Sequence, residues 1–249
     1  MLFSLPDIDS LVPVKLPLGA PLWRFKQDLD NLATIKAGDP YTFSSQYQQN
    51  PSPVGGGMFK DNYWKFYDVL PPDITLMRIY GDTAQKTKEH NDFTVFQCWG
   101  KSPSMGIFLV DQIRGKWEAP ELESNLVSFW NKWRPTQFKP FGASLVKIED
   151  KSSGSSLIQS IKKNYMIPIE PIQRNVDKVL RAMGVVGYFS SGHIWLPSNP
   201  DADWVSDYKD EFRKFTPLMT HKHDDQIDST MDAVEDMLVF EDMLYSGAI

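Results

Sequence analysis

From about residue 75 onward, short apolar runs alternate with amphipathic segments. The runs 74–80, 93–99 and 106–113 are rich in Ile, Val, Phe, Tyr and Trp and are separated by polar stretches, which predicts three strands able to form an antiparallel meander. Leu122, Leu126, Phe129, Trp130 and Trp133 recur at helical spacing, and the run 145–148 then predicts a strand leading into Glu149 and Asp150. A helix over 153–163, a strand over 166–170, a helix over 176–183 and a strand over 193–196 follow. Trp204, Tyr208 and Phe212 lie one helical turn apart, as do Ile227, Met231, Val234 and Leu238, so two further helices are expected. The fold class this order implies is α/β, a mixed central sheet flanked by helices. No internal repeat is present. Residues 1–60 differ: Pro40, Pro51, Pro53 and Gly55-Gly56-Gly57 interrupt them, and only 22–35 has a helical pattern. They read as an N-terminal extension or linker before a folded domain over 61–249.

Composition narrows the classes. With 249 residues, 41% hydrophobic and 23% charged, the chain can bury a core and is not a disordered protein. The first 18 residues carry Asp7 and Asp9 and lack a basic leading segment, so they read poorly as a signal peptide. The least charged stretch, 184–200, is broken by Gly187, Gly192 and Pro197, whereas a membrane span needs about 20 apolar residues, so no membrane association is expected. The single cysteine, Cys98, lies in an apolar run and is expected to be a small buried hydrophobe, compatible with a reducing cytoplasm. A net charge of −6 argues against bulk electrostatic coating of nucleic acid but leaves room for local basic patches.

Candidate chemistry is concentrated in three acidic clusters: Asp82 after the first strand, Glu149 and Asp150 at the end of a later one, and Asp224, Asp225 and Asp228 opening the last helix. Neighbouring strands can present carboxylates at one rim of a sheet, and a helix can start across that rim. Crowded carboxylates repel one another unless a cation neutralises them. Magnesium or manganese suits oxygen ligands, and two such ions about 3.5–4 Å apart can activate water and stabilise the leaving oxygen of a phosphodiester. Each cluster also has a plain reading: Asp82 could shape a turn, Glu149 and Asp150 could end a strand or cap a helix, and Asp224 or Asp225 could cap the last helix. The spacing Asp225-x-x-Asp228 on one helical face, with two strand-end acids in order before it, favours a joint site.

The segments Ile79-Tyr80-Gly81-Asp82-Thr83-Ala84, Val146-Lys147-Ile148-Glu149-Asp150-Lys151-Ser152-Ser153-Gly154 and His223-Asp224-Asp225-Gln226-Ile227-Asp228-Ser229 resemble the three nuclease motifs of phage terminase large subunits. Asn91-Asp92-Phe93-Thr94-Val95 and Leu157-Ile158-Gln159 also resemble that family, so the likeness covers roughly residues 40–240. The resemblance implies a ribonuclease H-like fold and a two-metal DNA endonuclease using Mg2+ or Mn2+. Its metal-binding acids fall on Asp82, Glu149 and Asp225, with Asp224 and Asp228 beside them and Asp150 as a second choice at the middle motif. It further implies cutting of concatemeric double-stranded viral DNA during genome packaging, in the cytoplasm of an infected or lysogenic bacterial host. The implied partners are the ATPase part of the large subunit, the portal and the small terminase subunit. No Gly-rich loop ending in Gly-Lys-Ser/Thr is present, and Gly55-Gly56-Gly57-Met58-Phe59-Lys60 lacks the spacing, so ATP hydrolysis is not expected of this chain. The stretch 41–60 resembles the family's junction after the ATPase.

A nuclease also needs cations for the phosphate backbone. Lys147 and Lys151 flank the middle acidic cluster, Arg174, Lys178 and Arg181 follow at about helical spacing, and Lys222 precedes the last motif. His223 is a possible auxiliary in proton transfer, because an unperturbed histidine titrates near neutrality. Two rival readings remain: a non-cutting docking module of the packaging motor, and another ribonuclease H-like enzyme such as a resolvase or transposase. Substrate choice separates them: branched DNA, end joining or plain duplex.

Overall fold

The computed structural model describes residues 29–38, 57–84, 93–138, 140–151, 153–216 and 224–240. The chain divides into two units, Met1–Pro53 and Val54–Ile249. The first contributes helix α1 (Leu29–Gly38), in which Thr34 Oγ1 donates to the Asp30 carbonyl at 2.9 Å. Residues 22–28 of the expected helix lie outside the described residues.

The second unit is built on a sheet of seven strands: β1 (Lys65–Tyr67), β2 (Leu76–Asp82), β3 (Thr94–Ser102), β4 (Gly106–Gly115), β5 (Leu145–Glu149), β6 (Ile169–Ile172) and β7 (Ile194–Pro197). Their spatial order is β1-β7-β4-β3-β2-β5-β6. The expected meander is present, with β2, β3 and β4 antiparallel neighbours, while β5 joins β2, β6 joins β5, and β7 joins β4, all in parallel. The helices are α2 (Ala119–Trp133), α3 (Ser153–Asn164), α4 (Lys178–Ser190), α5 (Trp204–Lys214) and α6 (Asp225–Val234), the last continuing into a π-helical turn over Glu235–Val239.

Side chains alternate across the sheet and form two cores. Ile79, Phe96, Cys98, Val146 and Ile148 pack with Leu126 of α2 and Leu157 and Ile161 of α3 on one face. Tyr80, Trp99, Ile107 and Leu109 pack with Phe189, Tyr208, Phe212 and Met231 of α4, α5 and α6 on the other. Central strand β3 is buried at every position, which is why its sequence is a continuous apolar run with no clean period of two. Cys98 is buried as expected.

Three features depart from the sequence reading. Strand β1 is absent from it, because its three residues, Lys65, Phe66 and Tyr67, carry no pattern and are set by pairing with Trp195, Leu196 and Pro197. Helix α4 extends to Ser190, well past 183, running through Gly184 and Gly187. Each glycine costs roughly 1 kcal/mol relative to alanine in a helix, and burial of Val185 and Phe189 offsets that cost. Residues 57–60 belong to the folded unit and not to an extension. Phe59 is buried with its ring centroid 4.7 Å from Phe189 and 4.9 Å from Phe212, and a Cβ at Gly57 would lie 2.0 Å from the Phe215 carbonyl oxygen. Among the described residues, no helix is long and apolar enough to cross a membrane.

The π-helical turn is anchored through Asp236. Its carboxylate accepts from Arg78 Nη1, Tyr80 Oη and Lys147 Nζ, each at 2.5 Å, so Lys147 is committed to the scaffold. Burial alone would raise the Asp236 pKa. Hydrogen bonds from Lys147 and Tyr80 and the charges of Arg78 and Lys147 outweigh it, and the carboxyl sits below the ordinary aspartate value. A depressed folded pKa contributes stability above the unfolded value of about 3.9 and loses it as pH falls through the folded value. Asp236→Asn is therefore expected to cost about 3 kcal/mol at pH 7 by leaving cations poorly compensated. In denaturant titrations the gap to wild type should narrow as pH is lowered toward about 3; an unchanged gap would contradict this account.

Candidate metal centre

Because β2 and β5 are parallel neighbours with Gly81 opposite Ile148, their C-terminal ends share one rim, and Asp82 and Glu149 are the next residues along each strand. Close backbone approach keeps that rim tight. A Cβ on Gly81 would come within 2.7 Å of the Phe96 ring, and one on Gly154 would lie 2.0 Å from the Glu149 carbonyl oxygen. Thr83 Oγ1 and Ser153 Oγ, 3.0 Å apart, join the end of β2 to the start of α3.

Helix α6 begins across the same rim, held from below by a buried amide network. Gln226 lies next to Asp225, and its Nε2 donates to Glu211 Oε2 at 2.7 Å while its Oε1 accepts from Gln112 Nε2 at 2.7 Å. The Gln226 backbone N–H donates to Glu211 Oε1 at 2.8 Å, so a side chain of α5 satisfies an N-terminal donor of α6. Gln97 Nε2 donates to the Gln226 carbonyl at 3.1 Å. With Gln226 turned toward the sheet, Asp225 and Asp228 are presented to the rim. Asp225 Oδ2 accepts from the Phe93 backbone N–H at 3.1 Å and lies 3.6 Å from Arg114 Nη2.

One guanidinium stands among these acids. Arg174, in the segment after β6, donates from Nη1 to Glu149 Oε2 at 2.8 Å and to Asp82 Oδ1 at 3.3 Å, and the same nitrogen is 3.8 Å from Asp228 Oδ2. Its other edge is fixed by Asp232, with Nη2 to Oδ2 at 2.7 Å and Nε to Oδ1 at 3.2 Å. Burial pushes the Asp82 carboxyl well above the usual carboxylate range; the Arg174 charge opposes this, while Asp228, Glu149 and Asp225 push it further up. Glu149 is moved the other way: burial is outweighed by Arg174 and Lys151, and its carboxyl sits below the ordinary value. Asp232 is raised, chiefly by burial, despite its two arginine partners.

The six expected acids therefore separate. Asp82, Glu149, Asp225 and Asp228 converge. Asp150, one residue further along and directed elsewhere, accepts from Ser155 Oγ at 2.5 Å and Gln173 Nε2 at 2.9 Å, away from the rim. Asp224 occupies the N-cap position of α6 without a side-chain capping bond and pairs instead with Lys178 Nζ at 2.7 Å. Of the expected DNA-binding cations, Arg174 and Arg181 are spent on carboxylates inside the cluster, with side chains only 7% and 5% exposed. Lys178 bridges Asp224 and Asp228 (2.5 Å), and Lys151 pairs with Glu149 Oε1 at 2.6 Å while remaining 60% exposed. Lys222 and His223 lie outside the described residues. Asp232 is an addition to the expected set, yet 225, 228 and 232 follow the i, i+3, i+7 spacing of one helical face, and extending the motif by one turn finds it.

The donor chemistry fits a hard divalent cation. Asp82, Glu149, Asp225 and Asp228 offer only oxygen, and Asp228 Oδ1 is buried with no hydrogen bond from a described residue, Arg181 Nη1 standing 3.5 Å away. As the side chains stand, however, no group of three or more His, Cys, Asp or Glu among the described residues is arranged to hold an ion. Arg174 supplies the positive charge at that point.

A seven-stranded mixed sheet with acids converging at its rim defines a ribonuclease H-like domain. Residues 79–236 match the model of the terminase RNaseH-like domain, and the chain belongs to that family. No curated protein sequence matches it. Among solved structures it is similar to a full-length large terminase from a thermophilic bacteriophage, at 12% identity and a TM-score of 0.57, over 86% of this chain and 52% of that one. It is also similar to the large terminase nuclease of the thermophilic phage G20c, at 13% identity and a TM-score of 0.51, over 72% of this chain and 98% of that one. A further G20c nuclease structure with bound magnesium matches at 13% identity and a TM-score of 0.51, over 72% of this chain and 96% of that one. The chain thus spans about half the length of the first of these large terminases.

An acid whose folded pKa is raised weakens folding at every pH above its unfolded value, and that cost disappears as pH falls. At neutral pH in chelator, Asp82→Asn should therefore leave the protein at least as stable as wild type, with a gain of about 1 kcal/mol or roughly 2–4 °C in Tm. A fall of several degrees on thermal melting would show that Asp82 is a structural ion-pair partner instead.

Proposed function

We propose that this domain is the nuclease part of a phage terminase large subunit and cuts concatemeric double-stranded viral DNA during genome packaging, using two divalent cations, Mg2+ or Mn2+. The observation that carries the reading is the convergence of Asp82, Glu149, Asp225 and Asp228 at one rim of the sheet, within a chain of the terminase RNaseH-like family. The G20c nuclease solved with magnesium supports the choice of a divalent ion.

Asp82, Glu149 and Asp225 would hold the ions, with Asp228 beside them. When bound, the ions would supply Lewis-acid activation of a water and stabilisation of the leaving oxygen. The water oxygen attacks phosphorus, the bond from phosphorus to the 3′ oxygen breaks, and a proton passes to that oxygen, leaving 5′-phosphate and 3′-hydroxyl ends. The chain's own part is positional: the amide network fixes α6, the tight β2 and β5 ends fix Asp82 and Glu149, and low exposure limits competing water. Lys151, and Lys178 from its exposed side, would meet backbone phosphates, while Lys222 and His223 remain candidates for phosphate contact and proton transfer. The ATPase part of the large subunit, the portal and the small terminase subunit are the proposed partners, in the bacterial cytoplasm.

The test is cleavage of supercoiled plasmid with magnesium, manganese, calcium or chelator, beside Asp82→Asn, Glu149→Gln and Asp225→Asn. Nicking and linearisation should require magnesium or manganese and fall at least about 100-fold in each variant, more than loss of an outer partner of a metal ligand usually costs. Cleavage that persists in chelator, or wild-type rates in all three variants, would reject the reading. A strong preference for branched over plain duplex DNA would move the assignment to a resolvase.

A further inference from the structure

The cluster is complete as an electrostatic object before any ion enters it, because Arg174 is held in its middle. Two bonds to Asp232 lock the Nε and Nη2 edge, which leaves Nη1 directed at Glu149 (2.8 Å), Asp82 (3.3 Å) and Asp228 (3.8 Å). Asp232 is itself anchored a second time, accepting from Arg181 Nη2 at 2.7 Å, and Arg181 is clamped in turn by Glu235 at 2.8 Å. The guanidinium is therefore positioned by side chains that do not face the rim. With its side chain 7% exposed, it is placed to meet carboxylates and not an approaching phosphate backbone.

We propose that Arg174 is an internal counter-ion that occupies a cation position of the metal centre, holds the carboxylates together in the metal-free protein, and competes with a divalent ion for Asp82 and Glu149. The inference rests on the metal-centre reading above. Nη1 engages one oxygen of each of these two acids, so a cation using those oxygens must displace it. A fixed positive charge at this separation also repels an incoming divalent ion in a poorly screened site. Arg174 thereby sets how tightly the site loads. Retained in place, it makes the site weak; moved aside on its Asp232 tether, it releases two carboxylate oxygens together. A merely structural arginine makes the opposite prediction, since its loss would disorder the carboxylates and weaken metal binding.

The experiment is calorimetric titration of the whole chain with manganese chloride at fixed ionic strength, for wild type, Asp82→Asn, Arg174→Gln and Arg174→Lys, with thermal melts of each in chelator. Arg174→Gln should melt lower in chelator yet bind manganese at least about tenfold more tightly, equivalent to about 1.4 kcal/mol. Arg174→Lys, which keeps the charge, should remain near wild type, and Asp82→Asn should lose the site. Equal or weaker binding by Arg174→Gln beside normal wild-type binding would overturn the counter-ion role alone. Absence of a saturable site in both proteins would overturn that role together with the metal centre. Should Arg174→Gln fail to fold, 15N-arginine spectra of wild type decide: the Arg174 Nε signal, assigned by its loss in Arg174→Lys, should shift on saturation with magnesium, and an unmoved signal would reject displacement.

Discussion

Four carboxylates in a poorly hydrated rim repel one another, and most of the second unit is arranged to withstand that repulsion. Asp82 shows the strain most clearly: burial and three neighbouring acids push its carboxyl well up, and a single guanidinium opposes them. A site of this kind survives only if the backbone cannot relax away from it. The parallel register of β2 and β5, the close approach of Gly154 to the Glu149 carbonyl, and the Gln226–Glu211–Gln112 network beneath α6 all resist such relaxation. Repulsion among the acids becomes affinity for a cation when one is available.

Sheet order explains why acids so distant in sequence can meet. The antiparallel meander places β2 at its outer edge, and the crossover through α2 returns the chain to add β5 in parallel beside it, so two strands end together at one rim. Helix α6 crosses from the opposite face and delivers its aspartates there, while its continuation is secured far from the rim by Asp236. Function at one end of α6 is thus balanced by buried ion pairs at the other.

Much of this is legible in the sequence, and the failures have physical causes. Apolar runs locate the strands of the meander and β5 because they are long and buried, whereas β1 has three residues and no period to detect. The sequence pattern ends helix α4 at its glycines because propensity speaks against them and the burial of Phe189 cannot be seen locally. The order of acids identifies Asp82, Glu149, Asp225 and Asp228, but which of two adjacent acids faces the rim depends on backbone direction, so Asp150 and Asp224 cannot be separated from their neighbours by spacing. Arg174, Lys178 and Arg181 read as a phosphate-binding stripe because spacing reports a shared face and not what that face meets. Only the fold reveals that they face carboxylates.

The central claim is that this rim is a cation site assembled from β2, β5 and α6. Diffraction at the manganese absorption edge from crystals grown with manganese tests it most directly. The account predicts anomalous density among Asp82, Glu149, Asp225 and Asp228, with the Arg174 guanidinium withdrawn from Asp82 and Glu149. Crystals saturated with manganese that give no density there, with Arg174 still bridging those two carboxylates, would contradict it.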